Sequence, residues 1–132
     1  MKYFTIAELC KSEAADRLGI DNRCKKEYVV NMTALVDNVL DPLREAYGKP
    51  ITVNSGFRCP ALNKAVKGSA TSDHMTGRAA DITGGSPDEN KKLFYLIQSL
   101  GLPFDQLIDE KHFLWVLVSY RGKDNRKHVL AL

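Results

Sequence analysis

The chain has 132 residues, 44% of them hydrophobic, and its 19 Lys and Arg against 16 Asp and Glu leave a formal charge of +3. That length suits one ordinary domain, 1–132, able to bury about two-thirds of its unfolded surface, while a charge so small and so dispersed gives no indication of nucleic acid. No apolar run approaches the roughly 20 residues of a membrane span. The N-terminal MKYFTIAEL also lacks the apolar stretch of a secretory signal, so the expectation is a soluble chain, cytoplasmic as synthesised and with no membrane partner.

In chain order, Thr5 and Glu8 fit a capping box that starts a first helix near Ile6, with Gly19 placed to end it after a polar surface segment. Cys10, Cys24 and Cys59 form an odd set at wide spacing with no CxxC, which suggests packing residues rather than a disulfide framework or a thiolate zinc cage. From Tyr28 to Tyr47, apolar Val29, Met32, Val36, Val39, Leu43 and Ala46 recur at steps of three or four, which predicts the main helix. Pro42 inside it predicts a kink or break, and Gly48 its end.

Lys49 to Phe57 is rich in β-branched residues after a proline and predicts a strand running into a turn at Ser55-Gly56. Residues 58–89 show no clean period and read as a long, irregular and therefore functional stretch. Ser86, Pro87 and Glu89 mark a helix start, with Leu93, Leu96, Ile97 and Leu100 expected in the core and Gly101 at the end. Three strands should follow, 104–109, 113–120 and 127–132, the last two joined as a hairpin through the basic stretch YRGKDNRKH (120–128), which reads as a solvated turn. The sum is an α+β domain, with helices packed on a small, mainly antiparallel sheet.

The chemistry concentrates in SATSDHMTGRAADI (69–82), where His74 and Asp81 stand seven positions apart. Imidazole and carboxylate are good zinc donors, although the spacing alone suits a surface pair as well. Taken with SGFRCPALN (55–63), the pattern Ser72-x-His74-x-x-Gly77-x-Ala79-x-Asp81 resembles the M15 zinc peptidases, which cut peptidoglycan stem peptides as D-alanyl-D-alanine carboxypeptidases, dipeptidases and L-alanyl-D-glutamate endopeptidases. The resemblance runs from about residue 30 to 120, through FDQLI and a late WVLVSY strand, and is nearest to small phage-like or bacterial members. It implies a hedgehog/D-Ala-D-Ala peptidase-like fold over 1–132, with 1–27 as an N-terminal helical extension, and the expectation is a monomer.

By the same resemblance His74 and Asp81 match two zinc ligands, Ser72 a serine beside the metal, and Arg58 the arginine that holds the substrate, a task its bidentate fork suits. Gly77 and Ala79 would let the backbone pass close to the metal. The third ligand of the family is a histidine on the late strand, where this chain has Leu117, and the general base position three residues earlier holds Leu114. His112 lies about 16 Å along the strand from Leu117 and on the other face. His128 would stand diagonal to Leu117 if the last two strands form a hairpin, and is the possible substitute ligand. Asp109 and Glu110 could supply a base, with no family position to fix either.

Two functions follow as expectations. One is a zinc peptidase acting on peptidoglycan stem peptides, impaired by the lost ligand; the other is a pseudo-peptidase that binds the peptide without cutting it. With no export signal, either would reach the wall by lysis or by another export route.

Overall fold

The computed structural model describes residues 1–132. The capping box forms as the sequence predicts, Thr5 accepting from the Glu8 amide at 3.1 Å. The helical segment it opens is split, however, into α1 (Ile6–Cys10) and α2 (Glu13–Leu18), with Ser12 capping the second and Gly19 ending it in the left-handed region. Nor is this segment wholly superficial, because Leu9 and Ala15 are buried. Asn22 ties it down, donating to the Cys10 and Phe57 carbonyls and accepting from the Cys59 amide.

The main helix is α3 (Lys26–Leu35), a π-helical turn (Val36–Leu40) and α4 (Asp41–Tyr47). Pro42 has no amide hydrogen to give, and the π turn absorbs the defect: the Asp41 amide bonds the Val36 carbonyl five residues back, and Pro42 falls in the first turn of α4. Gly48 ends the run at φ 74°. Of the predicted face, Met32, Val36, Val39 and Leu43 are buried, whereas Ala46 is exposed. In α6 (Pro87–Ser99), Leu93 and Ile97 are buried as expected, but Phe94 joins them while Leu100, past the helix end, is 42% exposed.

The sheet contains β1 (Thr52–Ser55), β2 (Ala79–Thr83), β3 (Gln106–Glu110), β4 (Trp115–Ser119) and β5 (His128–Ala131), in the spatial order β1-β2-β4-β3-β5. The irregular stretch 58–89 therefore contains a strand, β2, as well as α5 (Pro60–Ala65) and a 3₁₀ turn (Asp73–Thr76). β2 carries no polar alternation because Ala79, Ala80 and Ile82 are all buried.

The expected hairpin between the last two strands does not form. β4 has both edges occupied, by β2 and β3, so β5 takes the one open edge beyond β3 and runs parallel to it, with His128 opposite Gln106. His128 is exposed, and two strand spacings, roughly 10 Å, separate its strand from that of Leu117. The placement that made it a substitute ligand is overturned.

Strand alternation sorts the sheet into two faces. Ala80, Ile82, Leu107, Val116 and Val118 pack with α3, α4 and α6 into the core. The other face carries Ala79, Asp81, Leu117, Gln106 and Glu110. No helix of the chain is long and apolar enough to cross a membrane.

Gly56 follows β1, where the pairing shifts register between Val53 and Ser55. A Cβ at Gly56 would overlap the Leu9 carbonyl oxygen of α1, and the Phe57 amide bonds that same oxygen at 2.8 Å. Gly56→Ala should therefore destabilise the fold by about 1–3 kcal/mol in urea denaturation; a change near zero would mean that the two backbone segments separate freely.

Candidate functional site

The register of three strands builds the site. Asp81 on β2 stands directly opposite Leu117 on β4, and Leu117 opposite Ile108 on β3, so these side chains form one row across the sheet. His74 arrives from the 3₁₀ turn, which Ser72 caps by accepting from the His74 amide at 3.2 Å. Gly77 ends that turn at φ 74°, and a Cβ there would press on the Tyr28 carbonyl and Met32. Its need for glycine thus comes from the close approach to α3, not from room for a metal.

The imidazole of His74 is buried, and its Nδ1 lies 2.7 Å from the Gly56 carbonyl oxygen. A carbonyl only accepts, so Nδ1 carries the hydrogen and a neutral ring presents a bare lone pair at Nε2. That Nε2 is 3.4 Å from Asp81 Oδ1, and both atoms are buried without a hydrogen-bond partner. Two acceptors held this close need a shared cation, either a proton or a metal.

Beside them lies a cavity of about 480 Å³ whose lining includes Arg58, Ser72, His74, Glu110, Leu117, Arg121 and Arg126. Arg58 Nη2 reaches Ser72 Oγ at 3.5 Å, while its Nε is buried and unpartnered. Burial pushes this guanidinium below its usual pKa, and Asp81 works in the opposite direction. Burial, reinforced by the charge of Asp81, raises the Glu110 carboxyl above its usual range.

The remaining candidates stand apart from this cavity. Leu114 is 57% exposed, in a tight turn where Lys111, His112 and Phe113 all have positive φ. His112 is exposed in the same turn. Asp109 Oδ1 accepts from the Phe113 amide and so braces that turn. Cys59 caps α5, its Sγ accepting from the Leu62 amide, and Cys10 and Cys24 are free thiols with their sulfurs 3.7 Å apart.

Arg121 and Arg126, from the stretch expected to be a solvated turn, are the cavity residues that sequence reasoning missed. Fully buried Asp105 gathers them: Arg126 bonds both of its oxygens, at 3.0 and 2.8 Å, and Arg121 Nε lies at 3.1 Å. The available signal was Asp105 itself, an acidic residue inside an apolar strand entry and so in want of cations.

Converging imidazole and carboxylate donors beside an arginine-lined cavity, on an α+β sheet, have the make-up of a metallopeptidase. The family model for Peptidase M15 matches residues 2–103, and the chain belongs to that family. A zinc D-Ala-D-Ala carboxypeptidase of Streptomyces albus G is 52% identical to it over 48 residues, which are 36% of this chain and 19% of that protein. The chain thus matches under a fifth of that relative's length. The family match ends before β3 and β4, so Leu117 stands beyond it.

Family and relative both point to zinc, and the geometry bears on the fit. Two donors of one tetrahedral zinc, each at about 2.0–2.1 Å from it, stand about 3.3 Å apart; His74 Nε2 and Asp81 Oδ1 are 3.4 Å apart. No set of three His, Cys, Asp or Glu side chains is placed to hold a metal. The residues present suit zinc at two positions and offer no third.

The Arg126 and Arg121 contacts hold the Asp105 carboxyl below the usual carboxylate range, against the opposing effect of burial. A pKa lowered on folding stabilises fully above the unfolded value of about 3.9 and fades as pH falls through the lower folded value. Asp105→Asn should therefore be less stable than wild type at pH 7, by about 1.5–3 kcal/mol in urea denaturation. That difference should narrow below about pH 4; an equal difference at pH 7 and pH 3 would contradict the ion-pair account.

Proposed function

We propose that this chain is a zinc metallopeptidase that takes peptides of the peptidoglycan stem-peptide class by their terminal carboxylate, with a metal site weakened by Leu117. The observation that carries the reading is the pair of buried, unpartnered acceptors, His74 Nε2 and Asp81 Oδ1, facing each other at 3.4 Å. The D-Ala-D-Ala carboxypeptidase relative supports the substrate class by its name.

Zinc, when bound, would polarise the scissile carbonyl and lower the pKa of water toward about 7. His74 and Asp81 would hold it, the Gly56 carbonyl keeping the imidazole in the tautomer that presents Nε2. Arg58 has donors to spare beside Ser72, and a half-buried guanidinium with a buried, unpartnered Nε suits a planar carboxylate. Glu110 is the carboxylate that lines the cavity with them, and its oxygens are the place to hold and return a proton. Leu114, exposed in its turn, cannot serve. Leucine has no lone pair, so residue 117 would add nothing to the hold that His74 and Asp81 have on the ion, and affinity would fall accordingly.

A second reading, peptide binding without hydrolysis, is favoured by the apolar character of both Leu114 and Leu117. One experiment separates the two. Leu117 faces the cavity opposite Asp81, so Leu117→His should raise zinc affinity by about 100-fold or more, measured by competition with a chelator. Under zinc excess, wild type should release alanine slowly from peptides ending in D-Ala-D-Ala and Leu117→His faster, while His74→Ala should show no metal-dependent release. Peptide binding with no turnover in wild type, rescued by Leu117→His, would establish the second reading; no gain in zinc affinity on adding the histidine would sink both accounts of Leu117.

A further inference from the structure

Three guanidiniums, those of Arg58, Arg121 and Arg126, line the cavity, together with the carboxylates of Asp73 and Glu110. Asp105, with no exposed surface, has both oxygens occupied by Arg126 alone, through Nε at 3.0 Å and Nη2 at 2.8 Å, and its Oδ1 also accepts the Arg126 backbone amide at 3.0 Å. Arg121 is therefore surplus to the needs of that buried charge. It nonetheless places Nε 3.1 Å from Asp105 Oδ2, and its other contact, Nη2 to Asp73, is long at 3.9 Å.

The loop that carries both arginines is built rather than free. The Arg121 amide bonds Asn125 Oδ1 at 2.8 Å, and the Lys127 and His128 amides bond the Phe104 and Asp105 carbonyls. Arg126 is held through Nε and Nη2 and Arg121 stands with its Nε 3.1 Å from the same carboxylate, and both line the cavity that contains His74 and Arg58. Oriented, partly exposed guanidinium forks with unused donors are suited to bind a carboxylate.

We propose that Arg121 and Arg126 form a second carboxylate subsite, so that the ligand preferred by this cavity is a peptide with a free acidic group upstream of its terminal carboxylate. This rests on the reading that the cavity takes peptides by that terminus. Arg58 and the Arg121–Arg126 pair then select for two anionic groups in one ligand, and a peptide that carries only the first is held less tightly.

The test uses the purified full chain and acetylated tetrapeptides ending in D-Ala-D-Ala, with glutamate or glutamine at either upstream position, titrated by calorimetry. At one position the glutamate peptide should bind at least about tenfold tighter than its glutamine twin. Arg121→Gln, which leaves Arg126 on Asp105, should cut that preference at least threefold, weakening the glutamate peptide more than its glutamine twin. Equal affinities for the twins at both positions, with Arg58→Gln still weakening each, would overturn the subsite and leave the terminal-carboxylate reading standing. A glutamate preference unchanged in Arg121→Gln would overturn the assignment to this arginine pair. Failure of every peptide to bind would remove the subsite and the peptide reading together. The comparison of twins on wild type requires no variant, so it stands even if a variant fails to fold.

Discussion

The hydrogen bond between His74 Nδ1 and the Gly56 carbonyl decides which imidazole nitrogen faces Asp81, and the character of the site depends on it. Were the ring reversed, an N–H could point at the carboxylate and the pair would be an ordinary hydrogen bond. As built, a neutral ring leaves two lone pairs 3.4 Å apart in a buried setting, an arrangement that only a cation relieves. Much of the molecule serves to hold that carbonyl in place. The register shift in β1 leads into Gly56, the Leu9 backbone packs against it where no Cβ could fit, and Asn22 bonds the Phe57 carbonyl and the Cys59 amide just beyond it.

The sheet supplies the second constraint. Antiparallel register puts residue 117 directly opposite Asp81, and alternation turns it to the cavity face while Val116 and Val118 enter the core. Leu117 thus stands across the sheet from Asp81, on the face that lines the cavity with His74. A leucine there gives up a donor without disturbing the packing of the sheet, since its neighbours along the strand carry the core contacts. The imidazole of His74 is oriented, and Arg58 and the Glu110 carboxylate line the cavity beside it, while residue 117 offers no donor.

How far the sequence revealed this depended on whether a feature was local. Caps at Thr5, Ser12 and Ser86 and stops at Gly19 and Gly48 act within a few residues, and the α+β class follows from the elements they bound. The disturbance at Pro42 was legible as a defect, although its resolution as a π turn was not, since a kink would have satisfied the same missing amide. β2 was hidden because both of its faces are covered, which erases the alternation that marks a strand. The partner of β5 depended on which sheet edge remained open, a property of the whole topology, and with it went the position of His128. Arg121 and Arg126 read as solvated because nothing within their own stretch shows Asp105, some 16 to 21 residues earlier, waiting for them. Of the site, His74, Asp81, Arg58 and Ser72 came from the family resemblance; His74, Arg58 and Ser72 line one cavity and Asp81 stands beside His74, whereas Glu110 required the strand register to be singled out from Asp109.

The central claim is that one histidine nitrogen and one aspartate oxygen are the protein's donors to the metal. Zinc K-edge X-ray absorption on the zinc-loaded full chain tests it most directly, because the chain has three histidines and three cysteines that could otherwise contribute. The account predicts a shell with a single imidazole nitrogen and oxygen donors for the rest, the imidazole signal disappearing in His74→Ala. A shell that requires two imidazoles, or any sulfur, would contradict it.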